Sequence, residues 1–436
     1  AFPSTDAVSG LVAFDHPLPE GISDASVLVS QLAQFGAPAT TAIGGGRYFG
    51  FVNGGLLPVA LAARWMADAW DQNAAFGVMS PLAARLEEVS ERWLRELLGL
   101  PEQTVTGFVS GSSTAIFCGL AAGRWRLLKA LNWDVNRQGL AGAPRLRVVT
   151  SDQTHAAVYK ALALLGFGTE IIESVPCDDQ GRIIAEACPD LDSRTILILQ
   201  AGCVNSGAFD PFKPLIAKAA RAGSWVHVDG AFGLWAAASP NTIHLTDGMG
   251  GAHSFSVDGH KTLNLPYDNG MVLCCDPEAL TGAMHADGAY LVRDGARDGM
   301  AFTPDMSRRA RAIEVWAALA FLGRDGVATL VDGLCANARL LAASMTDQGF
   351  TVLNDVVFNQ VLVDVGDDLT EATLAAYQAS GLCWAGGSVW HGRPVIRFSI
   401  CSWATTEEDI ALAVAELSRA RDAARQAARS KTSPGS

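Results

Sequence analysis

The chain has 436 residues, 45 of them acidic and 32 Lys or Arg, for a formal net charge of −13; 49% are apolar and 18% charged. That balance describes a folded protein with a large core rather than a disordered one. An acidic surplus spread along the chain argues against nucleic acid or an anionic membrane as the main partner.

Residues 1–55 are rich in Gly, Pro and Ala and show little periodicity; Gly44-Gly45-Gly46 and Asn53-Gly54-Gly55 mark tightly turned backbone. From Pro58 to about Trp70, and from Pro81 to Leu98, apolar residues recur at helical spacing behind an opening proline, and Gly99 suits a helix C-cap. From about 104 to 280, short β-like runs alternate with helical ones. Strands are expected at Thr104–Val109, Leu146–Thr150, Glu170–Val175, Thr195–Leu199, Ser224–Asp229, Ala252–Val257 and Gly270–Cys275. Helices are expected at Ser113–Leu131, Thr154–Leu165 and Lys213–Ala222. This order implies an α/β fold with a largely parallel sheet covered on both faces. The short Pro266–Gly270 turn allows one of the last two strands to run antiparallel.

Residues 307–346 read as strongly helical. Beyond them, strands at Phe350–Asn354, Val361–Val365 and Pro394–Ile400, with helices at Glu371–Ala379 and Glu407–Arg425, suggest a smaller α+β domain. The expected organisation is an N-terminal segment (1–57), a large domain (58–306), a linking helix with a small C-terminal domain (307–429) and a disordered tail (430–436). The nine cysteines lie mostly in apolar contexts, without zinc-ligand spacing. They read as reduced core residues, and no metal site is expected. No basic segment precedes an apolar stretch at the N-terminus, and no apolar run reads as a membrane span. A soluble cytoplasmic protein is the expectation.

Four short motifs carry chemistry. Ser110-Gly111-Ser112-Ser113-Thr114 follows a strand and opens a helix, where free backbone N–H groups and small hydroxyls bind a phosphate; an ordinary N-cap turn has the same look. His155 lies just past a strand's carboxyl end, where open α/β sheets bind ligands, and could stack on a flat ring or simply cap a helix. Asp229 ends the run Ser224–Val228; an acid at the end of an apolar strand needs a partner, and either a pyridinium N–H or a turn amide would serve. His227, two positions back, shares its face and could orient it. Lys261 follows His260 after another strand-like run and could equally snorkel to solvent. Taken in order, they compose what pyridoxal phosphate (PLP) chemistry requires. One lysine amine condenses with the cofactor aldehyde, and one carboxylate keeps the pyridine nitrogen protonated so that the ring accepts electrons.

On these motifs the chain resembles the group II PLP-dependent amino acid decarboxylases, the family of aromatic-amino-acid, glutamate and diaminobutyrate decarboxylases. The resemblance runs from about Gly44 to about Asp409. It rests on His227–Ala231, Ser254–Lys261, Gly107–Ser113 and Ala201–Pro211. It implies a fold-type I enzyme: a mixed seven-stranded sheet domain with helices on both faces, a smaller C-terminal domain, and a homodimer with shared active sites. It further implies that Lys261 bonds the cofactor, Asp229 pairs with the pyridine nitrogen and His155 stacks on the ring. Ser112, Ser113 and His260 would contact the phosphate with Ser256 or Asp258. Ala231 would support the other ring face, and Ser206 would lie near the cofactor's hydroxyl side.

By the same resemblance, Tyr48, Phe49, Phe51 and Asn53 would line the substrate pocket, with Phe76 and Val78 reaching across from the other subunit; plain core packing is the competing reading for these aromatics. No basic cluster is seen there, which favours an aromatic or apolar L-amino acid, decarboxylated to its amine and CO2. The family's proton-donating loop tyrosine has one counterpart in Met284–Ser307, Tyr290, near the start of that stretch. That departure keeps an oxygen-using aldehyde synthase open, and an aminotransferase or carbon–carbon lyase shares the fold. Arg397 could bind a substrate carboxylate or form a structural ion pair.

Overall fold

The computed structural model describes residues 2–284, 297–366 and 368–432. The N-terminal stretch forms helices α1 (Thr5–Ser9) and α2 (Ala25–Gln31) and a short strand β1 (Tyr48–Phe49). These two helices bury none of their residues in the chain, and the weak periodicity of this stretch hid them. Helices α3 (Pro58–Trp70) and α4 (Pro81–Leu98) follow. Both begin at proline, and α4 ends at Gly99 in the left-handed region (φ 64°), which costs glycine little.

The large sheet contains β2 (Val105–Val109), β3 (Arg147–Ser151), β4 (Ile172–Val175), β5 (Thr195–Gln200), β6 (Trp225–Asp229), β7 (Ser254–Asp258) and β8 (Gly270–Cys274). Its order is β2-β8-β7-β6-β5-β3-β4. Five strands run parallel; β8 runs antiparallel to both its neighbours, as the short turn before it allows. The intervening helices are α5 (Ser112–Ala130), α6 (Val135–Gln138), α7 (Ala156–Leu164) and α8 (Phe212–Ala222), with α9 (Pro277–Ala283) after the last strand.

Alternation along each strand divides the core. Leu197, Leu199, Val226, Val228, Phe255 and Val257 pack on one face; Ile196, Ile198, Trp225 and Val272 pack on the other, against α5 and α7. On β6 and β7 the same alternation sets Trp225, His227 and Asp229 beside Ser254, Ser256 and Asp258 on the face that meets α5. Small residues let that helix come close. A β-carbon on Gly119 would lie 2.5 Å from His227 Nδ1, and one on Gly123 would lie 2.7 Å from Trp225.

Helix α10 (Ala312–Asp347), broken at Gly323, leads to a second sheet of β9 (Thr351–Val352), β10 (Gln360–Asp364), β11 (Trp384–Trp390) and β12 (Arg393–Ser399), flanked by α11 (Thr370–Ala379) and α12 (Glu407–Thr432). β1 joins this sheet by pairing in parallel with β11. β11 escaped the sequence reading because Gly386-Gly387 interrupts its apolar pattern. α12 continues through Thr432, so residues 430–432 of the expected tail are helical instead. α10 is long and apolar enough to cross a membrane by composition, contrary to the sequence expectation. It packs on α3, α4 and α12 and buries Val315, Val331 and Leu341. None of the nine cysteines is in a disulfide, and seven are buried.

Candidate active site

The carboxyl ends of β6 and β7, the first turn of α5 and the start of α7 converge on one cleft. Asp229 is 6% exposed. Its Oδ1 accepts from Ala231 N (3.2 Å) and Ser256 Oγ (3.1 Å), which leaves Oδ2 to meet a ring N–H. Burial pushes this carboxyl above its usual range, while the nearby His155 and Lys261 oppose the rise. A buried acid in this condition favours a cationic partner.

His155 caps α7, its Nδ1 accepting from Ala157 N at 3.2 Å, so the neutral ring carries its proton on Nε2. The ring is solvent-accessible in the single chain, yet surrounding protein holds it below the usual imidazole value, and it feels the charges of Asp229, Lys261, Arg397 and Asp258. It is therefore both a capping histidine and a member of the cleft. His227 makes no hydrogen bond to Asp229: its Nδ1 meets Ser254 Oγ at 2.8 Å and its Nε2 has no hydrogen-bond partner, and burial drives it down to about 3.

Lys261 Nζ stands 3.1 Å from Asp258 Oδ2. Asp258 Oδ1 accepts from Ser112 N at 2.5 Å and lies 3.6 Å from His260 Nε2. His260 Nδ1 accepts from Asn269 N (3.1 Å), and its ring lies 4.2 Å from that of Tyr267. Tyr267 donates to Asn53 Oδ1 at 2.7 Å. Next to Asn53, the N–H of Gly54 donates to His260 O, and a β-carbon on Gly54 would fall 2.1 Å from Lys261 O. The Asn53–Gly54 turn thus lies directly against the lysine.

Of the other expected site residues, some are drawn into different contacts and some keep contacts compatible with a pocket. Ser256 serves Asp229 rather than a phosphate. The Ser206 hydroxyl donates to Gln180 O (2.5 Å) and accepts from Ala208 N, so it holds its own turn. Phe49 is core of the second sheet, 5.8 Å from Phe398, rather than pocket lining. Tyr48 and Phe51 each stack on Trp384, with ring centroids at 4.9 and 5.1 Å. Phe76 and Val78 lie on a turn fixed to the 298–300 segment through Gly77 N–Asp298 Oδ1 and Met300 N–Ala75 O. Arg397 has no acidic partner among the described residues; its Nη1 donates to Val204 O at 3.0 Å, and its buried Nε has no partner. Tyr290 lies outside the described residues. Tyr267 and Trp384 were missed: the first sits in what read as a bare turn, the second on the strand hidden by glycines.

These groups fit PLP. Asp229 would hold the pyridine nitrogen and Lys261 the aldehyde carbon. The start of α5 offers Ser112 and Ser113, whose hydroxyls have no hydrogen-bond partner among the described residues. Gly111 keeps this corner open, since a β-carbon there would lie 3.0 Å from His260 Cε1. Ala231 is tied between Asp229 and Asp258 through its backbone.

Fold and site together define a PLP-dependent enzyme built on a mixed seven-stranded sheet. The sequence model of the family described as pyridoxal-dependent decarboxylase conserved domain matches residues 23–364. The chain belongs to that family and is a PLP-dependent decarboxylase. It is 27% identical over 362 residues to tyrosine decarboxylase 2 of Narcissus pseudonarcissus, covering 76% of this chain and 71% of that one. It is 28% identical over 323 residues to tryptophan decarboxylase 1 of Oryza sativa subsp. japonica, covering 68% of this chain and 62% of that one. The crystal structure of Oryza sativa TDC with PLP and tryptamine superposes with a TM-score of 0.88 at 21% identity, covering 97% of this chain and 93% of that one.

Proposed function

We propose that this protein decarboxylates an aromatic L-amino acid to its amine, as a homodimer. The observation that carries the substrate class is the aromatic stack Tyr48–Trp384–Phe51, next in sequence to the Asn53–Gly54 turn that lies against Lys261. The tyrosine and tryptophan decarboxylases among its relatives support the same reading.

Bound PLP supplies an electron sink for the carbanion left by CO2. Lys261 would anchor the cofactor through its amine, and Asp229 would hold the proton on the ring nitrogen. His155, whose Nδ1 accepts from Ala157 N, would lie over the ring, and its burial favours the neutral form that leaves Asp229 to the ring nitrogen. Arg397 is a half-buried cation without an acidic partner among the described residues, and it is our candidate for the group that attracts the substrate carboxylate. Tyr290 is our candidate for the proton that returns to the α-carbon.

The dimer reading rests on exposed apolar surface. Val12, Leu18, Ile22, Val27 and Val29 are exposed on the N-terminal stretch, as are Phe51, Trp65 and Val78 beyond it. Burying such surface in a partner is the ordinary way to stabilise it.

Incubating the PLP-loaded protein with individual L-amino acids and identifying products by mass spectrometry tests the substrate class. Tyramine or tryptamine is the expected product. Turnover confined to acidic amino acids would overturn the aromatic assignment. Because the candidate loop holds a single tyrosine, an aldehyde with ammonia and peroxide in air is the second outcome to score, and it would identify an oxidative aldehyde synthase instead.

A further inference from the structure

Asp258 is an acid standing where the resemblance puts a phosphate. It is 1% exposed, and alternation along β7 aims it at α5. Gly111, the N-cap of this 19-residue helix, has no side chain to satisfy the first amides. Asp258 supplies that cap from the neighbouring strand, through Oδ1 to Ser112 N at 2.5 Å. Its Oδ2 is buried and lacks an aligned hydrogen bond, with Lys261 Nζ 3.1 Å away and His260 Nε2 3.6 Å from Oδ1. The carboxylate therefore takes up the partial positive charge of the helix start and the charge of the lysine, the two features that would draw an anionic cofactor to this corner.

We propose that Asp258 sets the phosphate dependence of cofactor binding: its carboxylate competes with the phosphate of PLP for the N-terminus of α5. The site then holds PLP more weakly, and separates it less sharply from unphosphorylated pyridoxal, than it would with a neutral side chain at 258. The inference rests on the PLP-binding assignment above. Asp258 is a specificity-determining residue here, acting through charge; an asparagine would keep the hydrogen-bond acceptor for Ser112 N and remove only the charge.

The test is the equilibrium affinity of the full chain for PLP and for pyridoxal, read by cofactor absorbance and tryptophan fluorescence, in wild type and Asp258→Asn. The substitution is expected to tighten PLP at least tenfold and to leave pyridoxal within threefold. Unchanged or weaker PLP binding in a variant with the wild-type melting curve overturns the proposal, and so does equal tightening of both ligands, which would place the effect at Lys261. If the variant does not fold, wild type alone decides. A PLP-to-pyridoxal affinity ratio of a few tens or less supports competition, and a ratio above a thousand contradicts it. Wild type that binds neither ligand would remove the cofactor assignment itself, which is a distinct outcome from an inert substitution.

Discussion

Two buried groups on the same face of β6 do opposite jobs. Asp229 must be charged to hold a ring proton; burial opposes this, while two donors on one oxygen and the nearby Lys261 favour it. Asp229→Ala should retain measurable PLP but lose at least a hundredfold in kcat, because the ring then loses the group that keeps it protonated; stopped-flow or product assays with spectroscopic PLP quantitation check this. His227 is held neutral, with burial taking it down to about 3. The unfolded chain returns it to about 6.5, so between those values the unfolded state binds more protons. Stability contributed by the neutral ring is complete above pH 6.5 and is lost progressively as pH falls towards 3. His227→Gln should therefore lose less stability than wild type between pH 7 and 5, by up to about 2 kcal/mol, as read by urea unfolding at the two pH values.

At the scale of elements, the site depends on how closely β6, β7 and α5 approach and on what fixes the chain around them. The segment 297–308 is fastened to α4 by a buried network: Glu87 accepts from Arg297 Nε (3.0 Å) and Arg308 Nη2 (2.7 Å), and Glu91 accepts from Arg297 Nη1 (2.9 Å). Removing Glu87 leaves two buried guanidinium groups short of a partner. Glu87→Ala should cost about 3–5 kcal/mol, measured by denaturant unfolding, even though the residue lies on a helix that reads as ordinary and amphipathic. The seven strands of the large sheet and helices α5, α7 and α8 were legible because their apolar runs are continuous and bounded by glycine, proline or polar turns, whereas the one-turn α6 was not. Lys261, Asp229, His155 and Ser112 were legible because each sits at the end of such a run. The Glu87–Arg297 pair was not, since partners 210 positions apart leave no local trace. Neither was the capping of α5 by Asp258, which depends on strand alternation meeting a helix start across the sheet. Tyr267 hid in a turn, and Phe49 looked like pocket lining because an aromatic cluster reads the same in core and in cleft.

Across the whole molecule, one stretch of chain links the two sheets. The N-terminal segment adds β1 to the second sheet and then crosses to His260 and Lys261 of the first through Asn53 and Gly54. Gly54→Ala would push a β-carbon to 2.1 Å from Lys261 O, and it should lower both PLP affinity and activity by at least tenfold while the melting curve shifts modestly. The helices before β1 contribute no buried residue to the chain. In the proposed dimer their apolar side chains would meet a second copy, and removing residues 2–40 should then leave a monomer in sedimentation experiments; a dimer that survives the deletion would move the proposed interface elsewhere. In the proposed function, Lys261 serves PLP-dependent decarboxylation of an aromatic amino acid. The most direct measurement is release of labelled CO2 from carboxyl-labelled L-tyrosine and L-tryptophan, with the non-volatile product identified in the same vessel, for wild type and Lys261→Ala. The expected result is CO2 and the matching amine in equal amounts from wild type, and neither from the variant. Undiminished CO2 release by Lys261→Ala, or a keto acid with the label retained, would contradict it.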